Sequence, residues 1–202
     1  MENNVVKAFF DKCAHNWDQD NLYNEDIVNQ LLDNARIIGD IKVLDIGSGT
    51  GVLFEAYQKR QVDYVGIDIS SEMVKCAKIK YPKARIYEGD IYTYKFDETF
   101  DCIMIYNAFP HFSNPGLLID VLTPLLNDGG IISICHSMSK EELDYIHMTC
   151  AKEVSNPMME IEDLAVLFKN KYDILDMISN NKMYQIVVKK RWCESPFYML
   201  II

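Results

Sequence analysis

The spacing of apolar positions changes period again and again along the chain. Val5, Val6, Ala8, Phe9, Phe10 and Cys13 recur over residues 5–15 in a way that predicts a short helix. Ile27, Leu31, Leu32 and Ala35 do the same over 24–37, with Asn24 placed to cap that helix. The run "IKVLDI" (41–46) is too short for a helix and reads as a buried strand; a glycine-rich turn and a helix over 52–60 follow it. The alternation continues with strands over 62–68, 84–90, 100–107 and 129–137 and helices over 70–81, 115–126, 139–154 and 160–170. Ser70 or Ser71 caps the helix over 70–81, and Ser139 with Glu142 has capping-box spacing. The last two segments, "YDILDMISN" and "KMYQIVVKK", flank a turn around Asn180–Asn181 and predict a hairpin.

Strands that alternate with helices over short connections predict an α/β fold. Its sheet has seven strands, mostly parallel, with helices on both faces. The closing hairpin makes the last strand antiparallel. The chain reads as a single domain, 1–202: an N-terminal helical cap (1–38), a core (39–190) with a lid over 138–160, and a tail (191–202) that packs on the body or forms a dimer contact.

Composition narrows the partners. With 49% apolar and 25% charged residues the chain is globular in type. A net charge of −10 repels phosphate backbones, so nucleic acid is not expected as a partner. No window approaches the roughly 18 continuous apolar residues of a membrane span, and none is expected. Six cysteines, at 13, 76, 102, 135, 150 and 193, form no Cys-x-x-Cys pair; they read as reduced thiols in a cytoplasmic protein. The N-terminus lacks a signal-peptide layout, since Asp11, Lys12 and His15 interrupt it.

The chemistry centres on "VLDIGSGTG" (43–51). Three glycines in five residues cost backbone entropy, so something needs that backbone bare. Asp45 stands at the strand end, ahead of Gly47, Gly49 and Gly51. This spacing is not the Gly-x-Gly-x-x-Gly of dinucleotide-binding turns, and an acid here suits a cationic ligand group better than a pyrophosphate.

The segment resembles motif I of the class I S-adenosylmethionine-dependent methyltransferases. "VGIDIS" (65–70), "EGDIYTYKF" (88–96), "FDCIMIYNAFPHF" (100–112) and "LLNDGGIISI" (125–134) resemble that family's successive motifs, in order. "FFDKCAHNWD" (9–18) looks like the N-terminal segment of its small-molecule and quinone-biosynthesis branch, with Trp17 in place of the usual tyrosine. The resemblance implies a Rossmann-like core and S-adenosylmethionine as cofactor. It also implies site roles. Gly47, Gly49 and Gly51 would pack against the methionine and ribose. Asp45 would neutralise the methionine amino group, directly or through water, and Asp68 would accept the ribose hydroxyls. Ile69 and Met73 would line the adenine. Asp90 would accept its amino group, with Ile91 against the ring. Asn107 would touch cofactor or substrate, and Trp17 would close over the methionine end.

Three of the four histidines, His111, His136 and His147, follow strand ends on the same edge and are the candidate catalytic bases. The alternative is that His111 merely shapes the pocket or that two or three histidines hold a metal; no metal is assigned. Cys135 and Cys150 raise a minor alternative, a thiol-rich site for a soft metalloid. Met138, Met148, Met158 and Met159 read as core or as an adaptable apolar wall. The fourth-strand stretch "NAFPHF" lacks the Asn/Asp-Pro-Pro-aromatic signature of amide- and amino-methylating relatives. Methyl transfer to a small-molecule acceptor by a monomer or homodimer is therefore expected. The alternatives are a silent cofactor-binding partner subunit and, from another class, an NAD-type oxidoreductase.

Overall fold

The computed structural model describes residues 2–20 and 24–192. Among them, helix α1 (Asn3–Cys13) runs through a 3₁₀ turn into the short α2 (Trp17–Asp20), and α3 (Glu25–Asn34) completes the N-terminal region. The strands are β1 (Lys42–Ile46), β2 (Asp63–Asp68), β3 (Arg85–Glu88), β4 (Phe100–Tyr106), β5 (Leu126–His136), β6 (Tyr172–Ser179) and β7 (Tyr184–Lys190). Between them lie α4 (Phe54–Lys59), α5 (Ser71–Lys80), α6 (Pro115–Leu122), α7 (Lys140–Cys150) and α8 (Ile161–Val166).

The sheet has the order β3-β2-β1-β4-β5-β7-β6. Strands β1 to β5 pair in parallel, and β7 is antiparallel to both β5 and β6. This is the expected seven-stranded fold, with the antiparallel strand last in sequence but inserted one place in from the edge. Each face of the sheet is buried. Leu44, Ile103, Ile105 and Ile132 pack under α6 and α8, while Val43, Cys102 and Met104 pack under α3, α4 and α5. Alternate residues of one strand feed opposite layers, as strand geometry requires.

Local signals placed the helix starts. Asn24 Oδ1 accepts the N–H groups of Asp26 and Ile27, Ser70 Oγ accepts that of Met73, and Ser139 with Glu142 closes a capping box. Several ends differ from expectation. The helix predicted to 126 stops at Leu122, where Pro124 cannot supply a backbone donor. The helix predicted to 154 stops at Cys150 and a 3₁₀ turn, Lys152–Val154, follows. Strand β5 begins at Leu126, not 129: the Gly129–Gly130 pair sits inside the strand at a register shift against β4, with Gly129 at φ +76°. The expected tail 191–202 lies outside the described residues beyond Trp192.

Candidate active site

The carboxyl ends of β1 to β5 share one edge, where an open parallel sheet binds its ligands. At the end of β1 the chain turns through Gly47, whose φ of +69° a side chain would strain. A Cβ on Gly47 would also lie 2.7 Å from the Cβ of Ala108, on the loop after β4. The bare backbone thus lets two strand-end loops close on each other. Gly49 also has positive φ but nothing within 4 Å of where its Cβ would stand, so this part of the turn faces open space.

Asp68 ends β2 beside that turn. Its Oδ2 accepts the Gly49 N–H at 2.8 Å and its Oδ1 accepts the Ser70 N–H at 2.8 Å. Burial pushes its pKa up to about 6 against those two bonds, which favour the charged form. Asp45 is buried one strand over. Burial, then the nearby Asp68 charge, hold its pKa well above the carboxylate range. Asp45 is directed into the layer of Tyr57 and Tyr64, beneath the turn, and its field raises both tyrosines after burial does. Asp90 follows β3. One oxygen accepts the Tyr92 N–H at 3.0 Å, and the other accepts the side-chain amide of Asn3.

That last contact was not legible in the sequence. Helix α1 lies across this edge: Lys7 Nζ reaches the Ile69 carbonyl at 3.1 Å and the Glu88 carboxylate at 3.0 Å. Asp11 Oδ1 accepts the Ser70 hydroxyl at 2.6 Å and the Glu72 N–H at 3.2 Å. Asp18 of α2 accepts the Thr50 hydroxyl and pairs with Lys80 at 2.7 Å. Helix periodicity predicted α1, but nothing in the period says which edge its polar face meets.

The other expected residues fall around this frame. Ile69 is half-buried against the small cluster of Val6, Ala151 and Val154, as are Phe9 and Phe10 of α1. Met73 is buried in the first turn of α5. Ile91 joins the core layer under α6 and α8. Trp17 meets the Phe10 ring edge-on at 5.7 Å. Asn107 sits at φ +50°, its amide donating to Ser137 Oγ at 3.1 Å and its carbonyl oxygen accepting the Ser137 N–H at 3.0 Å. It therefore ties the ends of β4 and β5 together.

The three histidines do converge, on the β4–β5 side of the edge. The rings of His111 and His147 meet at 5.2 Å, and Phe10 meets His111 at 4.8 Å. His111 Nδ1 lies 2.8 Å from the Val154 carbonyl. His136 is fully buried with no partner on either ring nitrogen, and the buried His147 has none on Nδ1. Burial, then repulsion from the other two imidazoles, lowers His136 to about 3; burial foremost lowers His111 to about 4 and His147 as well. All three are neutral at pH 7. Among the described residues no group of three or more His, Cys, Asp or Glu is arranged to hold a metal ion. The thiol-rich alternative fails on strand geometry: Cys135 faces Met104 in the layer opposite His136, and Cys150 is exposed. Met158 is core, Met138 and Met159 are half-buried beside it, and Met148 is exposed.

A family described as "Methyltransferase domain" matches residues 44–134, from β1 through the strand-end loops to β5. The sheet order agrees with that match. The chain is similar to the class I S-adenosylmethionine-dependent methyltransferases, in sequence over residues 44–134 and in fold. It is 30% identical over 98 residues to a ubiquinone biosynthesis O-methyltransferase of Psychrobacter arcticus, covering 45% of this chain and 38% of the relative. It is 28% identical over 121 residues to (S)-coclaurine N-methyltransferase of Papaver somniferum, covering 56% and 34%. The chain thus spans little more than a third of the length of these curated relatives. Its fold matches the crystal structure of the N-methyltransferase NodS from Bradyrhizobium japonicum in complex with S-adenosylhomocysteine. The TM-score is 0.70 at 14% identity, over 92% of this chain and 98% of that one. The family's cofactor is S-adenosylmethionine, and the donor set here fits it: a glycine turn facing open space and carboxylates on adjacent strand ends.

Proposed function

We propose that this chain catalyses methyl transfer from S-adenosylmethionine to a small-molecule acceptor. The observation that carries the reading is the split of the strand-end edge into two chemically distinct halves. On the β1–β3 half, Asp68 and Asp90 stand beside the Gly47–Gly51 turn. On the β4–β5 half, three neutral histidines cluster among apolar side chains. The first half suits a ligand rich in hydroxyl and amino donors, and the second suits an uncharged acceptor.

S-adenosylmethionine supplies an electrophilic methyl group on a sulfonium. Gly47, Gly49 and Gly51 would leave room for the backbone to approach it. Asp68 would accept the ribose hydroxyls and Asp90 the adenine amine, with Ile69, Met73 and Ile91 near the ring. Asp45 would sit beneath the turn as a buried negative or neutral partner, and Trp17 and Asn107 would border the reacting end. Alignment supplies most of the rate in such a displacement. A neutral imidazole of His111, His136 or His147 can take the proton of an acceptor that must lose one.

The names of the relatives support a small-molecule acceptor. No helix among the described residues is long and apolar enough to cross a membrane. The test is incubation with methyl-labelled S-adenosylmethionine and, separately, a low-molecular-weight extract, total RNA and total protein. Label in the small-molecule fraction supports the reading. Label only in a macromolecular fraction, or in none, overturns it.

A further inference from the structure

Helix α1 is laid across the strand-end edge by two different rows of side chains. Asn3, Lys7 and Asp11 recur at every fourth position and so share one face. Asp11 accepts the Ser70 hydroxyl at 2.6 Å, in the loop after β2. Lys7 donates to the Ile69 carbonyl in the same loop and to Glu88 at the end of β3. Asn3 donates its side-chain amide to Asp90 Oδ2, just after β3. The apolar row is fixed elsewhere: Val6 is buried with Ala151 and Val154, and Phe9 and Phe10 pack against that cluster.

The Asn3 bond differs from the other two in what it holds. The Asp90 carbonyl accepts the N–H groups of Thr93 and Tyr94 at 2.9 and 2.8 Å, so the main chain here is a set turn. The Asp90 carboxylate is held locally at one oxygen, by the Tyr92 N–H at 3.0 Å. One such bond leaves the plane of the carboxylate free to turn; the Asn3 amide on the other oxygen stops it. A carboxylate offers about four acceptor directions, so two remain for a ligand. The amide is also neutral, and it orients Asp90 without cancelling its charge. Lys7, one turn along, directs its charge to Glu88 and Asp11 instead.

We propose that Asn3 is a positioning residue for base selection: with the Tyr92 N–H it fixes Asp90 so that a 6-amino purine is accepted and a 6-oxo purine refused, and it makes the seating of α1 part of that choice. An exocyclic amine donates to the oriented carboxylate. A carbonyl at the same place sets a second acceptor against it. A site built around such a bond rejects the analogue that cannot make it more strongly than a difference in shape does. By linkage, a ligand that draws on Asp90 also stabilises the helix that holds Asp90. This rests on the methyltransferase reading above and deepens it, since Asn3 lies 87 residues from the acid it serves.

The experiment titrates the full chain by calorimetry with S-adenosylhomocysteine and with S-inosylhomocysteine, its 6-oxo counterpart. Amide exchange over α1 (Asn3–Cys13) is followed with each ligand. The native chain is expected to bind the adenosyl ligand about tenfold tighter or more, and to slow α1 exchange further with it. Asn3→Ala narrows the ratio of the two affinities about fivefold or more, through weaker adenosyl binding, and removes the difference in α1 exchange. Asn3→Asp suits a helix N-terminus but sets a second carboxylate against Asp90, and it narrows the ratio at least as far. Asn3→Gln keeps the amide and retains more of the ratio than Asn3→Ala does. A ratio unchanged in Asn3→Ala and Asn3→Asp, whether both affinities fall together or neither does, overturns the proposal, because Asn3 then only fastens the helix. Equal binding of the two ligands to the native chain overturns it as well. Failure of S-adenosylhomocysteine itself to bind the native chain is a separate result and overturns the underlying methyltransferase reading.

Discussion

Asp68 Oδ2 accepts the backbone N–H of Gly49 at 2.8 Å, so the carboxylate at the end of β2 fixes the glycine turn at the end of β1. The same carboxylate is held partly protonated, with a pKa near 6. A raised acid keeps its proton longer in the native state than in the unfolded chain. Asp68 therefore stabilises the fold below about pH 4 and loses that contribution as pH rises through 6. Ligand binding runs the other way. Below pH 6 the protonated acid has one acceptor fewer, so affinity for S-adenosylhomocysteine falls about tenfold per pH unit. Calorimetry from pH 5 to 8 reads this slope, and Asp68→Asn abolishes it.

Gly47 and Gly49 separate two uses of glycine. Gly47→Ala meets Ala108 at 2.7 Å and also strains φ. It should cost about 2–4 kcal/mol, combining left-handed strain with overpacking. Gly49→Ala has room and should cost only roughly 1–2 kcal/mol, yet its methyl group enters the open side of the turn. Chemical denaturation should rank Gly47→Ala well below Gly49→Ala. A ligand titration of Gly49→Ala should show weakened binding in a protein that remains folded.

His136→Phe should raise stability. It replaces a buried ring carrying two unpartnered nitrogens with an apolar ring of similar size; each orphan costs about 1–3 kcal/mol, and each kcal/mol is about 2–4 °C of Tm at this chain length. The gain should grow in acid. Native His136 stays neutral down to about pH 3, while the unfolded ring takes a proton near its ordinary value of about 6.5. The native protein therefore loses about 1.4 kcal/mol per pH unit between those limits. His136→Phe should flatten that part of the stability–pH profile. A variant less stable than the native chain at every pH would show that the histidine is structural.

Asp11 anchors α1 over the site through Ser70 and Glu72. Burial pushes its pKa up, but those two bonds and Lys7 outweigh burial and hold it below the usual range. Asp11→Ala should release the helix from α5, with amides of residues 3–13 exchanging faster while the β-sheet amides keep their protection. Unchanged protection in α1 would show that Phe9, Phe10 and Val6 hold it alone.

How far the sequence could be read depended on the range of each interaction. The strand–helix alternation, the Asn24, Ser70 and Ser139 caps and the motif I turn are local, and they appear where the pattern put them. The start of β5 at Leu126 was not legible, because a glycine pair looks the same in a turn and in a bulge until a neighbouring strand sets the register. The convergence of His111, His136 and His147 was legible as a shared edge, since all three follow strand ends. The lack of partners on His136 and on His147 Nδ1 was not, because it depends on what Phe10, Tyr184 and the methionines fail to offer. The contacts of Asn3, Lys7, Asp11 and Asp18 link residues about 30 to 90 apart and leave no trace in local spacing.

The central claim is that the β1–β3 edge holds S-adenosylmethionine. The most direct measurement is thermal unfolding with S-adenosylhomocysteine, S-adenosylmethionine and NADH in parallel. At 100 times its Kd a ligand adds about 2.7 kcal/mol, which for a domain of this size is roughly 5–10 °C. The account predicts that shift with both adenosyl ligands, none with NADH, and its loss in Asp68→Asn. A shift with NADH alone, or none with either adenosyl ligand, would contradict it.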